Sequence, residues 1–148
     1  MLKIKRALEL DAPIITAIKT RAYNKELNTY LGRDGGPTGY NEVKSEVEII
    51  RKFIAYKIEL DSEIIGSFFL IPSKPKKMHF DDFVIDPKYQ GQGYGYKVLQ
   101  LIENAYPLVM EWRLQTPIFS IKNQHLYTKF GYVEIARSQY EIEYLKQI

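Results

Sequence analysis

The chain has 148 residues, which is enough for one domain with a substantial core and too few for two ordinary domains. It carries a modest net charge of +3 and no cysteine, so disulfides, thiolate metal sites and catalytic thiols are excluded. No apolar run approaches the ~20 residues that span a bilayer, and we therefore expect a single cytoplasmic domain over residues 1–148 with no membrane partner.

The first elements predicted along the chain are a strand and two helices. Leu2–Arg6 alternates apolar and basic residues, which is typical of a strand. Asp11 and Pro13 predict the N-cap and first turn of a helix, and Asn41 predicts the N-cap of a second helix. Residues 31–40, between the helices, are rich in turn formers. The predicted apolar stripes are Ile14, Ile15, Ile18 and Ala22 in the first helix and Val43, Val47, Ile50 and Ile54 in the second.

Three strand-like runs follow in the middle of the chain. Residues 55–60 and 63–71 are joined by Asp61-Ser62, which is a hairpin signal, and the third run covers residues 78–85. The cluster Lys74-Pro75-Lys76-Lys77 is either a nucleic-acid patch or the solvated end of a second hairpin. Because the other basic residues are spread along the chain, we favour the hairpin end and expect no nucleic-acid partner.

The stretch Gln90-Gly91-Gln92-Gly93-Tyr94-Gly95 lies between the third run and a helical segment. Glycines lack the Cβ atoms that stop a backbone from closing around an anion, and a following helix adds free amides and its positive dipole end. The stretch therefore predicts a phosphate cradle, with an ordinary strand-to-helix turn as the alternative. Tyr96 stands where a dinucleotide fingerprint needs glycine, and no Gly-Lys-Ser/Thr follows for a P-loop.

The rest of the chain returns to alternating strands and helices. We predict a strand over residues 108–114, a helix over residues 123–130 with Gly131 as its left-handed C-cap, and strands over residues 132–135 and 140–145. The full order is β-α-α-β-β-β-α-β-α-β-β. Strands joined both by hairpins and by helices imply an α/β (α+β) fold with a mixed sheet and helices on both faces.

Two motifs resemble those of the GCN5-related N-acetyltransferases (GNAT). Gln90, Gly93 and Gly95 fill the pyrophosphate-binding pattern Gln/Arg-x-x-Gly-x-Gly/Ala, and Leu126-Tyr127-Thr128-Lys129-Phe130-Gly131-Tyr132 looks like the family's Leu-Tyr-x-Lys-x-Gly-Phe. The order of the elements is also the family's. The resemblance covers nearly the whole chain and implies the GNAT acyl-CoA N-acyltransferase fold, with about seven strands in a mixed central sheet flanked by about four helices.

The resemblance implies an acetyl-CoA-dependent N-acetyltransferase that uses acetyl-CoA as co-substrate and no metal. Backbone amides of the strand before the loop would polarise the thioester carbonyl, and loop amides would hold the pyrophosphate. Gln90 would supply a neutral side-chain donor where the family often has arginine. Many relatives place the cofactor-binding asparagine where this chain has Ser120. The matching cofactor-binding residues are Phe83, Val84, Ile85, Gln90, Gly91, Gln92, Gly93, Tyr94, Gly95 and Asn123.

The catalytic roles follow from the same resemblance. Tyr127 corresponds to the general acid that protonates the departing thiolate, and an unperturbed pKa of ~10 suits that donation at neutral pH. Candidate general bases are His79, Asp81 and Asp82, on the strand before the loop. By alternation His79 and Asp81 point to one face of the sheet and Asp82 to the other, unless a bulge intervenes.

The acceptor side is less constrained by the sequence. In similar enzymes the acceptor site is lined by the loop before the second helix and by the end of the fifth strand. In this chain the loop has Tyr40, and the strand end has Trp112 and Thr116. A plain loop and a core tryptophan are the alternatives. We expect a small-molecule primary amine to attack directly in a ternary complex, because no cysteine can carry the acetyl group. A protein lysine or N-terminus as acceptor, a non-catalytic acetyl-CoA-binding module, and a homodimer stay open.

Overall fold

The computed structural model describes residues 1–148 and contains a seven-stranded mixed sheet with four α-helices, which confirms the predicted architecture. None of the helices is long and apolar enough to cross a membrane. The strands are β1 (Leu2–Arg6), β2 (Ile54–Leu60), β3 (Glu63–Lys74), β4 (Lys77–Ile85), β5 (Glu111–Pro117), β6 (Val133–Arg137) and β7 (Glu141–Gln147), and the helices are α1 (Ala12–Leu31), α2 (Val43–Lys52), α3 (Tyr94–Ala105) and α4 (Ile121–Phe130).

The sheet has the strand order β1-β2-β3-β4-β5-β7-β6. All neighbouring strands are antiparallel except β4 and β5, which are parallel. The parallel ladder is short, since it runs only from Lys77 opposite Glu111 to His79 opposite Arg113. Beyond His79, β4 has no partner on its β5 side, and the two strands separate. The sheet is therefore split open along the second half of β4.

Apolar side chains cover both faces of the sheet. The largest core cluster joins Val98, Leu99 and Ile102 of α3 to residues of the strands such as Phe80 and Trp112. On the opposite face, smaller clusters join α1 to the strands, as where Ile18 and Ala22 pack with Val84. The sheet is therefore covered by helices on both sides, as predicted.

Both hairpins end in residues with left-handed backbone conformations. Asp61 and Ser62 have φ angles of 49° and 72°, which is the twist that suits a two-residue hairpin turn. At the tip between β3 and β4, Lys76 has a φ of 66°. The basic cluster at residues 74–77 is therefore the end of a hairpin, as favoured from the sequence.

The predicted start of α2 is wrong. Asn41 belongs to a turn in which Glu42 donates its backbone N–H to the carbonyl of Gly39, and α2 begins at Val43. Ile54 is the first residue of β2 and not part of the helix.

Two details of α1 also differ from the prediction. Ile14 is 52% exposed and lies outside the buried stripe. Asp11 precedes the helix as expected, but its carboxylate accepts the N–H of Leu8 (2.8 Å) and binds Lys57 (2.9 Å) instead of capping α1.

The fifth strand begins later than predicted. Residues 106–109 form a turn, closed by the N–H of Val109 donating to the carbonyl of Tyr106, and β5 starts at Glu111, where it meets β4. Apolar content alone suggested the earlier start. The other bounds in this half differ by only a few residues, and Gly131 ends α4 with a φ of 111° as predicted.

A β-bulge interrupts the pairing of β3 with β4. Ser67 pairs with Val84 and Phe69 with Asp81, so that Asp82 and Phe83 together lie opposite Phe68. Asp82 has a φ of 56°, which is unusual for a residue other than glycine. The bulge shifts the alternation of β4, with consequences for the side chains described below.

We expect the substitution Gly66→Ala to destabilise the protein by about 1–3 kcal/mol, which is typical of overpacking. Gly66 lies beside the bulge, and a Cβ atom added there would be 2.3 Å from the carbonyl oxygen of Val84. Chemical denaturation measures the change in the free energy of unfolding. Ser73→Ala, at an exposed position of the same strand, should have little effect. Equal stability of the two variants would contradict the close approach.

Candidate functional site

The glycine-rich loop ends at the N-terminus of α3. Gly91 and Gly93 have φ angles of 75° and 84°, a region that glycine enters without strain. Gly93 is the N-cap of α3, and no side chain bonds to the amides of its first turn. A Cβ atom added at Gly91 or Gly93 would meet nothing within 4 Å. The loop therefore presents free N–H groups and the positive end of a helix dipole to an open space, which suits an anionic group.

Gly95 has a different role from the other two glycines of the loop. A Cβ atom added at Gly95 would lie 3.0 Å from Cδ2 of Leu126, on α4. The missing side chain allows α3 and α4 to approach closely. This contact joins the glycine loop to the helix that carries Tyr127.

A groove of about 340 Å³ extends from the loop between α1, β4 and α4. Its wall contains nine of the ten residues predicted to bind the cofactor. Gln92 is the exception, and its side chain donates to the carbonyl of Lys88 (3.1 Å). The lining residues are Ala22, Tyr23, Lys25, Glu26, Thr29, Tyr30, Phe83, Val84, Ile85, Tyr89, Gln90, Gly91, Gly93, Tyr94, Gly95, Tyr96, Lys122, Asn123, Leu126 and Lys129.

The side chain of Gln90 is turned back toward β4. Its Nε2 donates to the carbonyl of Ile85 (2.8 Å), while its Oε1 accepts from Nζ of Lys25 (3.4 Å). The amide N–H groups of Gln90 are thus used to close the loop, in contrast to the expected donation to an anion. Positive charge in the groove comes from Lys25 on α1 and from Lys122 and Lys129 on α4.

The bulge places Asp82 in a buried cluster of charges. Asp82 binds Nζ of Lys19 (2.5 Å) and accepts a hydrogen bond from the hydroxyl of Tyr23, both on α1. Lys19 also binds Glu46 of α2 (2.8 Å). Lys19 and Glu46 are only 3% and 5% exposed, so the cluster is screened from water. Hence the first two helices are attached to β4 through one lysine.

The pKa shifts of the cluster have separate causes. Burial acts to lower the pKa of Lys19, but the carboxylates of Asp82 and Glu46 outweigh it and the pKa rises. Burial raises the pKa of Glu46 despite its ion pair with Lys19. The pKa of Tyr23 is raised well above its usual value, first by burial and then by Asp82. Lys19 is therefore charged and Tyr23 protonated at neutral pH.

The other two candidate bases lie on the same side of the sheet as Asp82. Met78 and Phe80 point into the core on the α3 side, so His79 and Asp81 face the α1 side, and the bulge turns Asp82 to that side too. Asp81 is exposed, accepts the N–H of Asp82 (2.7 Å), and has a pKa that partial desolvation raises. The structure thus brings the two carboxylates and His79 to one face.

Tyr127 lies on α4 with its ring buried against Tyr132 and Tyr144, at centroid distances of 5.9 and 6.0 Å. Burial raises its pKa most, followed by the nearby charges of Glu26 and Asp81. Tyr127 is 4% exposed and does not itself line the groove, whereas Leu126, the residue before it on α4, does.

Glu26 and Ser120 are site residues that the sequence analysis did not assign. The hydroxyl of Ser120, which is completely buried, donates to Oε1 of Glu26 (3.0 Å) in the wall of the groove. Burial raises the pKa of Glu26. A signal was present in the sequence, because Lys19, Tyr23 and Glu26 recur at helical spacing beside the apolar stripe of α1.

The three residues expected at the acceptor site do not line the groove. The hydroxyl of Tyr40 donates to Asn24 (2.6 Å), and its ring packs edge-on against Tyr23. Trp112 is 1% exposed and packs against Tyr106 in the main core. Thr116 is buried in β5 opposite Ile142. Tyr40 contacts Tyr23, which does line the groove. Trp112 is a core residue, which was the alternative given in the sequence analysis.

The sequence profile of the acetyltransferase (GNAT) domain matches residues 51–134. No curated protein sequence matches the chain. Among solved structures, the PaiA N-acetyltransferase from Thermoplasma acidophilum in complex with coenzyme A superposes with a TM-score of 0.84 at 13% identity, covering 100% of this chain and 99% of that one. At this identity the likeness establishes the fold alone.

Two further enzymes of known structure share this fold and are named for different acceptors. The spermidine N-acetyltransferase from Vibrio cholerae, in complex with CoA and spermine, has a TM-score of 0.74 at 16% identity and covers 99% of this chain and 95% of its own. The ribosomal-protein-S18-alanine N-acetyltransferase from Escherichia coli has a TM-score of 0.76 at 15% identity, with coverages of 100% and 94%. The fold therefore accommodates both small-molecule and protein amines.

We expect Lys19→Met to lower the free energy of unfolding by about 3–5 kcal/mol, because it leaves two carboxylates in the buried cluster without their cation. Thermal or chemical denaturation at neutral pH measures the loss. Lys5→Met is the matched control, since Lys5 pairs with Glu59 (3.0 Å) while 52% of its side chain is exposed. An exposed pair contributes little. Similar stabilities of the two variants would show that the cluster does not hold α1 to β4.

Proposed function

The chain belongs to the GNAT family of acetyltransferases, and on that premise we propose that it transfers the acetyl group of acetyl-CoA to a primary amine of a small molecule, by direct attack in a ternary complex. The observation that carries this proposal is the groove. One end has the uncapped amides of α3, and the wall of the groove includes Glu26 of α1 and Leu126 of α4, the residue before Tyr127.

The residues of the groove fit acetyl-CoA in charge and shape. The open space over Gly91 and Gly93 would take the pyrophosphate, within reach of the first amides of α3. Lys25, Lys122 and Lys129 supply cations for the phosphates, which compensates for the uncharged Gln90. Asn123 lies in the wall of the groove, one turn before Tyr127 on α4, where it can hydrogen-bond the pantetheine arm.

Polarisation of the carbonyl is assigned to the backbone of β4. Acetyl-CoA supplies a thioester, whose carbonyl carbon is the target of the amine. Because β5 pairs with β4 only as far as His79, the amides of residues 83–85 on that edge are not used by a neighbouring strand. Fixed backbone donors cost no reorganisation when charge develops on the carbonyl oxygen. The separation of β4 and β5 thus provides the donor.

Tyr127 is proposed to protonate the leaving thiolate. Burial and the neighbouring carboxylates keep its pKa above the usual value, so the phenol retains its proton through neutral and mildly alkaline pH. On β4, the candidate proton acceptors are His79, Asp81 and Asp82. Asp82 is bound by Lys19, which favours a structural role for it.

A cationic small-molecule amine is the acceptor we propose. The carboxylates of Glu26 and Asp81 both act on Tyr127, so negative charge surrounds the position where the amine would react. The spermidine N-acetyltransferase with the same fold offers a precedent for such an acceptor. Direct transfer is supported by the lack of cysteine.

We expect the protein to release CoA thiol from acetyl-CoA in the presence of at least one member of a panel of primary amines, with polyamines included. Tyr127→Phe should reduce kcat roughly 100-fold while acetyl-CoA binding persists, since only the proton donor is removed. Tyr132→Phe, which removes the hydroxyl of another buried tyrosine, is the control. Full turnover by Tyr127→Phe would refute the assigned acid, and binding without turnover for any amine would favour a non-catalytic module.

For the phosphate site, Gly93→Val should abolish binding of acetyl-CoA in calorimetry, because a β-branched residue strains the left-handed conformation and its side chain fills the open space. Gly32→Val is a matched control. Gly32 has a φ of 71°, also with nothing within 4 Å, but lies at the end of α1 outside the groove wall. Both variants should lose stability, and only Gly93→Val should lose affinity. Equal affinities would contradict the phosphate cradle.

A further inference from the structure

We propose that Glu26 of α1 is the general base that accepts the proton from the acceptor amine. This role rests on the acetyl transfer proposed above. The proposed base is thus on helix α1. The candidates named in the sequence analysis, His79, Asp81 and Asp82, are on strand β4.

Glu26 is positioned at the junction of α1 and α4. Its Oε1 accepts a hydrogen bond from the fully buried Ser120, the N-cap of α4. Tyr127 lies two turns further along α4, and side chains of a helix lean toward its N-terminus. The ring of Tyr127 therefore extends back toward the Ser120–Glu26 contact. In agreement, Glu26 is the charge that contributes most to the raised pKa of Tyr127.

The second oxygen of Glu26 is free to act on a substrate. The only hydrogen bond to the Glu26 carboxylate within the chain comes from the neutral Ser120 and goes to Oε1. No cation forms an ion pair with this carboxylate. Asp82 is bound to Lys19, and Asp81 accepts the backbone N–H of Asp82, which opposes the rise in its pKa that burial causes. Glu26 is thus the carboxylate that lines the groove, and no cation in the chain holds its charge, which suits it to accept a proton from a bound amine.

Other ionisable groups surround this carboxylate. They are Tyr23 and Lys25 on α1, Asp81 on β4, and Lys122 and Tyr127 on α4. Burial raises the pKa of Glu26, and the hydrogen bond from Ser120 offsets only part of this rise. Glu26 therefore titrates closer to neutrality than an ordinary glutamate, and activity should fall as the pH drops through its pKa.

The proton balance of the reaction needs two groups. The acceptor enters as an ammonium ion and leaves as an amide, so it loses two protons in total. Glu26 takes the first proton from the ammonium and passes it to solvent, and the freed lone pair of the nitrogen then forms the bond to the carbonyl carbon. The carbon–sulfur bond breaks, Tyr127 donates its proton to the sulfur, and the second proton from nitrogen restores Tyr127.

The test compares wild type, Glu26→Gln and Asp81→Asn for kcat and KM across pH with an amine that the wild type acetylates. Glutamine preserves the acceptor atom for Ser120, so the fold should persist, and thermal unfolding checks this. We expect Glu26→Gln to lower kcat roughly 100-fold, to abolish the acidic fall in activity, and to leave the affinity for acetyl-CoA unchanged. Glu48→Gln, at an exposed position of α2, is the control for loss of a carboxylate.

A second readout does not depend on turnover. Carboxyl NMR of the free protein, with the Glu26 signal identified by its loss in Glu26→Gln, should give a pKa above that of ordinary glutamates. The proposal fails if Glu26→Gln keeps wild-type kcat, if it changes only the KM for the amine, or if Asp81→Asn alone removes the acidic fall. If the wild type acetylates no amine, the proposed function fails and this role fails with it.

Discussion

The attachment of α1 to the bulge in β4 is the interaction on which the rest of the site depends. Asp82, in a left-handed conformation, directs its carboxylate to Lys19 and Tyr23, and Lys19 binds Glu46 of α2 in turn. Further along the same helix, Arg21 binds Asp86 (2.7 Å). These contacts hold α1 against β4 and the residue that follows it, and α1 forms one wall of the groove. Without the bulge, Asp82 would face the opposite side and this wall would lose its anchor.

The two halves of the groove use different parts of the protein. Main-chain amides at the start of α3 and along β4 lie where we propose that the cofactor binds, and glycines and an unpaired strand edge make them available. Side chains of α1 and α4, Glu26 and Tyr127, are the groups proposed to move the protons of the transfer. Gly95 connects the halves, since it allows α3 to touch Leu126 one residue before Tyr127.

Local patterns in the sequence were sufficient for the order of the elements, the hairpin at Asp61-Ser62 and the glycine loop, because each depends on neighbouring residues. Features set by tertiary contacts were not predictable in this way. Asn41 is a good capping residue, yet the chain uses it in a turn. The bulge at Asp82 depends on pairing with β3, and Glu26 meets Ser120 across 94 positions of the chain. From the sequence, Trp112 could equally have lined the acceptor site or packed in the core, and only the tertiary packing distinguishes the two.

The proposed binding of the cofactor by main-chain amides has a consequence for the divergence of such proteins. An amide donor is present whatever the side chain, so mutations along β4 and the loop are tolerated as long as a few glycines and the backbone path persist. This accounts for a nearly identical fold at 13% identity to another acetyltransferase. Selection on the acceptor can then act on a small number of helix side chains, and a lineage can acquire a new substrate without rebuilding its cofactor site.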